Sequence, residues 1–169
     1  MKLNTLIVLG PIVFLLHDLE EIFTVERWVK EHYSTFQQFR LPNVIIDKVG
    51  YSTQEFALTV GLIFTMFIVI SKFAIKNKKG WGFKCFMAAI FIMFINIFTH
   101  LAQSILLNMY TPGVITALIL VLPYSLIVFF SLYVNKLFER KAIFQSLGIS
   151  FIFVPVIFAP LFIFHQLLN

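Results

Sequence analysis

His17-Asp18-Leu19-Glu20-Glu21 stands at the end of an apolar run, Leu6 to Leu16, interrupted only by Gly10 and Pro11. At about 100° of rotation per residue, Glu20 and Glu21 flank the direction of His17, so an imidazole and two carboxylates converge on one helix face. Imidazole nitrogen with carboxylate oxygen suits a divalent Zn, Fe or Mn ion. A spanning helix needs about 20 residues. A first helix starting near Leu3 therefore carries these groups inside the membrane or at its edge, where ionisable side chains are costly and point to function.

A second polar stripe lies further along. Asn96, His100 and Gln103 recur at i, i+4 and i+7 in a segment otherwise rich in Phe, Ile and Met, and such a stripe is expected to face the interior of a bundle. Counting about 1.5 Å per residue, His17 lies roughly 21 Å along its helix from Leu3, and His100 roughly 21 Å from Phe86. The two histidines are expected at one depth. The candidate metal ligands are His17, Glu20, Glu21 and His100; the glutamate left over acts as general base, so Glu20 and Glu21 are also the candidate catalytic residues. Asn96, Gln103, Tyr110 and Glu55 are candidates for supporting or orienting a substrate. Without a metal, the same groups can form a proton relay or interhelical hydrogen bonds.

Several of these residues have a plainer reading. Ser52-Thr53-Gln54-Glu55 has the form of a capping box, so Glu55 is either a cap or a site residue. Asp18 points about 100° away from His17 and is expected at the periphery. His165, close to the C-terminus, is read as interfacial and His32 as a surface residue. Tyr110-Thr111-Pro112-Gly113 has the Pro-Gly order of a type II turn, a tight hairpin from which the Tyr110 hydroxyl can reach the cluster.

The elements that position this chemistry follow from composition. Of 169 residues, 60% are hydrophobic and 12% charged, with 22 phenylalanines. This is the composition of an all-α integral membrane protein. Five spanning segments are expected in one bundle, about 3–24, 54–73, 84–107, 114–135 and 144–167, in a single domain over 1–169. Between the first two, Trp28, His32, Phe36 and Phe39 recur at helical spacing, an interfacial helix ended by Leu41-Pro42-Asn43. The start of the chain leads into acids without a small-residue cleavage site and is read as a retained first helix.

The net charge of +5 comes from residues that flank spans, which argues against nucleic acid as a partner. Most Lys and Arg fall at the N-terminus and in the loops Lys72–Lys84 and Lys136–Lys141. Arg27, Lys30, Arg40 and Lys48 lie opposite. This asymmetry places the N-terminus in the cytoplasm, the C-terminus outside, and the cluster in the outer half of the bilayer. Cys85 is the sole cysteine, which excludes an internal disulfide. Pro123, Pro155 and Pro160 are expected to kink the last two helices.

Three motifs in order resemble the HXXEE-domain family of small bacterial integral membrane proteins: His17-Asp18-Leu19-Glu20-Glu21, a later histidine in Asn96-Ile97-Phe98-Thr99-His100, and Tyr110-Thr111-Pro112-Gly113. The resemblance groups these residues into one site in the bacterial cytoplasmic membrane. A looser analogy to glutamate-type intramembrane prenyl-protein peptidases fails on spacing, because Arg27 falls two positions too late for an EExxxR motif. The function expected from the residues is a metal-dependent hydrolase, in which an activated water cleaves a lipid or lipid-linked substrate; metal-dependent oxidation is the second reaction considered. The competing reading is a metal-ion or proton-coupled transporter or sensor built on the same cluster. Five spans without repeated halves also leave room for a homo-oligomer.

Overall fold

A computed structural model describes residues 2–36 and 51–168. The described residues form helices and no strand. Helix α1 spans Leu3–Phe36, α2 Thr53–Lys76, α3 Trp81–Leu107, α4 Val114–Val134 and α5 Arg140–Leu168. The last four are long and apolar enough to cross a membrane. Their outer faces expose large apolar side chains such as Leu106, Phe130 and Phe151, as expected of surfaces in contact with lipid rather than water.

The first four helices form a ring in which α1 packs on α2 and α4, and α3 packs on the same two; α5 lies outside, against α2 and α3. Leu6, Ile7, Phe86, Met87, Ile90 and Val128 fill the centre. Close approach of α1 to this core depends on Gly10: a Cβ there would sit 3.0 Å from the Tyr124 hydroxyl and 3.1 Å from both Phe67 and Phe86. The Tyr124 hydroxyl donates to the Leu6 carbonyl at 2.9 Å.

The helical segment expected to continue the first span runs on directly from it in α1, as far as Phe36. At 34 residues, α1 is about 51 Å long, well beyond the ~30 Å of a bilayer core. Its extension is tied to the rest of the molecule twice. The Trp28 indole donates to the Tyr110 carbonyl at 2.7 Å, and Glu26 accepts the Thr53 amide at 2.8 Å. The Glu26 carboxyl is held down at about 2, first by its bond from Lys30 and then by that from Thr53. Phe39 and Leu41-Pro42-Asn43 lie outside the described residues.

Helix α2 starts with the expected capping box: Ser52 Oγ accepts the Glu55 amide at 3.3 Å and Glu55 accepts the Ser52 amide at 2.9 Å. In α4, Ala117–Val121 forms a π turn immediately before Pro123. Proline supplies no amide and crowds the carbonyl four residues back, so a widened turn there lets the helix continue.

Candidate metal centre

Helices α1 and α3 place His17 and His100 side by side. Both are buried, at 4% and 6% exposure, with ring centroids 5.1 Å apart and planes at 85°. One turn after His17, Glu21 brings Oε1 to 3.1 Å from His100 Nε2 and 4.0 Å from His17 Nε2. One ligand atom from each of the three residues lies within 4.8 Å of the others. A tetrahedral ion about 2.0–2.1 Å from each ligand separates ligand atoms by roughly 3.3 Å, and the two measured pair distances bracket that value.

Thr116 determines which nitrogen of His17 faces the cluster. Its hydroxyl is 2.6 Å from Glu20 Oε2 and 2.9 Å from His17 Nδ1. A hydroxyl has one proton, an ionised carboxylate can only accept, and the short charge-assisted bond outcompetes the 3.4 Å approach to the Gly113 carbonyl. The proton therefore goes to Glu20, and the oxygen accepts from His17 Nδ1–H. This leaves His17 Nε2 with a bare lone pair, the form that binds metal. Glu20 is held by two further donors, the Thr116 amide at 2.8 Å and the Tyr110 hydroxyl at 2.7 Å. Burial, and then this bond to Glu20, push the Tyr110 phenol up to about 12, so it remains a donor through the neutral range.

The turn between α3 and α4 forms the wall of the centre. Gly113 has φ 85° and ψ −16°, and the Val114 amide bonds back to the Thr111 carbonyl at 3.2 Å, a type II turn with Pro112 second and Gly113 third. Its Cα faces the cluster. A Cβ there would lie 2.6 Å from His100 Cε1 and 2.8 Å from Glu21 Oε1. The fully buried Thr111 anchors the turn by donating to the His100 carbonyl at 3.3 Å.

The remaining expected residues divide. Asn96 Nδ2 is 2.9 Å from His100 Nε2, and the Thr99 hydroxyl lies 2.8 Å from both the Asn96 backbone carbonyl and Asn96 Oδ1. If the Asn96 N–H points at Nε2, it occupies that nitrogen's one lone pair, and a metal held by His100 Nε2 would take its place. His100 Nδ1 has no hydrogen-bond partner among the described residues. Gln103, on the same stripe by spacing, is exposed. Glu55 caps α2 and also meets His165 Nδ1 at 2.8 Å, a second His–Glu pair between α2 and α5. Asp18 is half-buried, and His32 bonds to the Trp28 carbonyl at 2.9 Å.

Sequence reasoning passed over Thr116 and the wall-forming role of Gly113. The available signal was the lone threonine of α4, three residues past a Pro-Gly turn and within its apolar first half. Thr116→Val, which keeps shape and removes the hydroxyl, is expected to weaken metal binding about 10–100-fold, the usual effect of losing an outer hydrogen bond to a ligand. Thr116→Ser is expected to bind as the parent does. Titration of the purified variants with Zn checks both.

Comparison with known families gives a match over residues 8–128 to the family described as "Protein of unknown function with HXXEE motif". The matched stretch contains every residue of the cluster and its wall. "Uncharacterized protein YrkK" of Bacillus subtilis (strain 168) is 26% identical over 149 residues, covering 84% of each chain. No solved structure matches.

Proposed function

This chain belongs to the HXXEE family, and we propose that it is a membrane-embedded metalloenzyme that hydrolyses a lipid or lipid-linked substrate. His17, Glu21 and His100 are the ligands in this reading, for Zn, Fe or Mn. The observation that supports it best is the convergence of His17 Nε2, His100 Nε2 and Glu21 Oε1 against the Gly113 backbone. Two histidines and one glutamate leave a fourth position open, the ligand count of catalytic rather than structural zinc sites.

Within this reading α1 is the fifth span, with the N-terminus in the cytoplasm and the cluster near the outer surface. A bound divalent ion supplies Lewis acidity and lowers the pKa of a coordinated water to about 7. The chain's own groups handle orientation and protons. Glu20, saturated by Thr116 and Tyr110, fixes the His17 ring rather than binding the ion. With Glu20 saturated and Glu21 Oε1 turned to the cluster, the second oxygen of the Glu21 carboxylate, whose side chain is 19% exposed, is the acceptor left for the proton of the attacking water. The water oxygen bonds to the acyl carbon or phosphorus, the bond to the leaving alcohol breaks, and the proton ends on that alcohol. Asn96 lies where it can orient the bond to be cleaved.

Reconstitution with Zn, Mn or Fe(II) into phosphatidylethanolamine–phosphatidylglycerol vesicles, followed by mass spectrometry of the lipids, tests the reading. Metal-dependent appearance of hydrolysed lipid is expected, falling at least about 100-fold in Glu21→Gln, which loses the anionic ligand together with the proton acceptor. Ion or proton flux without lipid turnover would overturn the hydrolase and favour transport.

A further inference from the structure

A cavity of about 70 Å³ lies between α1, α2, α3 and α5. Its walls are apolar throughout and include Phe14, Phe67, Ala89, Met93 and Phe153. It is several times larger than the 10–15 Å³ or so that one water occupies, yet offers water no partner, and cavities of that kind stay dry. Two more of its lining residues, Met66 and Val156, are 39% and 40% exposed on the outer face of the molecule. The cavity thus opens sideways, toward hydrocarbon in a membrane.

Its position relative to the metal centre is informative. Phe14 precedes His17 by one turn of α1, about 4.5 Å, and Met93 precedes His100 by about 10.5 Å of α3. Since α1 and α3 run in the same direction, the cavity begins just below the cluster and extends toward the middle of the spans. A lipid whose polar end reaches the outer edge of a bilayer has its chains at that depth. A volume of about 70 Å³ takes a short stretch of one hydrocarbon chain, the rest of which stays in the bilayer.

We infer that this cavity binds one acyl chain of a glycerolipid from the surrounding bilayer, entering past Met66 and Val156. The further step, that the polar end of the same lipid lies at His17, Glu21 and His100, rests on the hydrolase reading; binding of the chain does not. It makes the substrate an acylated lipid held by one chain, rather than a soluble ester.

The test uses the full chain in phosphatidylethanolamine–phosphatidylglycerol nanodiscs containing a small fraction of phospholipid with a diazirine in one acyl chain. After illumination, adducts are mapped by peptide mass spectrometry. Adducts concentrated on Met93, Phe153, Val156 and Ile157, several-fold above the exposed face at Ile119 and Phe130, are expected. Ala89→Leu, which fills the cavity, is expected to reduce them to the level of that face, and His100→Ala to leave them intact. Met93→Phe provides an independent filling variant should Ala89→Leu fail to fold. Even labelling of all apolar faces would overturn the inference. Cavity labelling without any lipid turnover would leave the chain site standing and remove the hydrolase alone.

Discussion

Gly113→Ala is expected to abolish metal binding while leaving the helices in place. Two effects act together. The left-handed φ of 85° costs a non-glycine residue about 1–2 kcal/mol. The added methyl would also enter the centre itself, 2.6 Å from His100 Cε1 and 2.8 Å from Glu21 Oε1, distances at which one of the two ligands must move. Because Thr111 bonds to the His100 carbonyl and Tyr110 bonds to Glu20, the turn cannot back away without disturbing α1 and α3. Affinity for Zn is expected to fall by more than about 100-fold, or about 2.8 kcal/mol. Isothermal titration in detergent checks the affinity, and circular dichroism checks that helix content is retained. Parent-like affinity would remove Gly113 from the centre.

The two adjacent glutamates should separate just as sharply. Glu21→Gln removes the anionic ligand and is expected to eliminate measurable metal binding. Glu20→Gln preserves size and some hydrogen bonding around Thr116 and Tyr110, and so is expected to lose only about 10–100-fold, as an outer partner does. The difference follows from contacts: Glu20 Oε2 receives both the amide and the hydroxyl of Thr116, at 2.8 and 2.6 Å, whereas Glu21 Oε1 faces His100 Nε2. Metal titration of both variants by the same method decides the assignment. Equal losses, or a reversed order, would contradict it.

The division of labour between Glu20 and Glu21 was not legible in the sequence, although the site's neighbourhood was. Helical rise is nearly constant, so equal offsets along two helices running in the same direction sufficed to bring His17 and His100 to one depth, and their rings lie 5.1 Å apart. Rotation per residue also placed Glu20 and Glu21 on the His17 face. Neighbours about 100° apart can both satisfy that condition; which one meets His100 and which meets Thr116 depends on where α4 packs, 96 residues away. The Pro112-Gly113 turn could be read from local chemistry, but not that its glycine would press on the site. Gln103 shows the opposite limit. Periodicity placed it on the face of Asn96 and His100, yet the described residues leave its side chain exposed. The extension of α1 was legible from the helical spacing of Trp28, His32 and Phe36, but its anchor, the Trp28 bond to Tyr110, joins distant parts of the chain and was not.

If His17, Glu21 and His100 form one metal centre, the protein must hold metal in a fixed ratio that depends on both histidines. Protein purified without chelators and reconstituted with Zn, Mn or Fe(II) is measured by elemental mass spectrometry alongside His17→Ala and His100→Ala. The account predicts about one ion per chain in the parent, the stoichiometry of a single three-ligand site, and its loss in both variants. A parent that binds no metal under any of these conditions, or variants that retain it, would contradict the account.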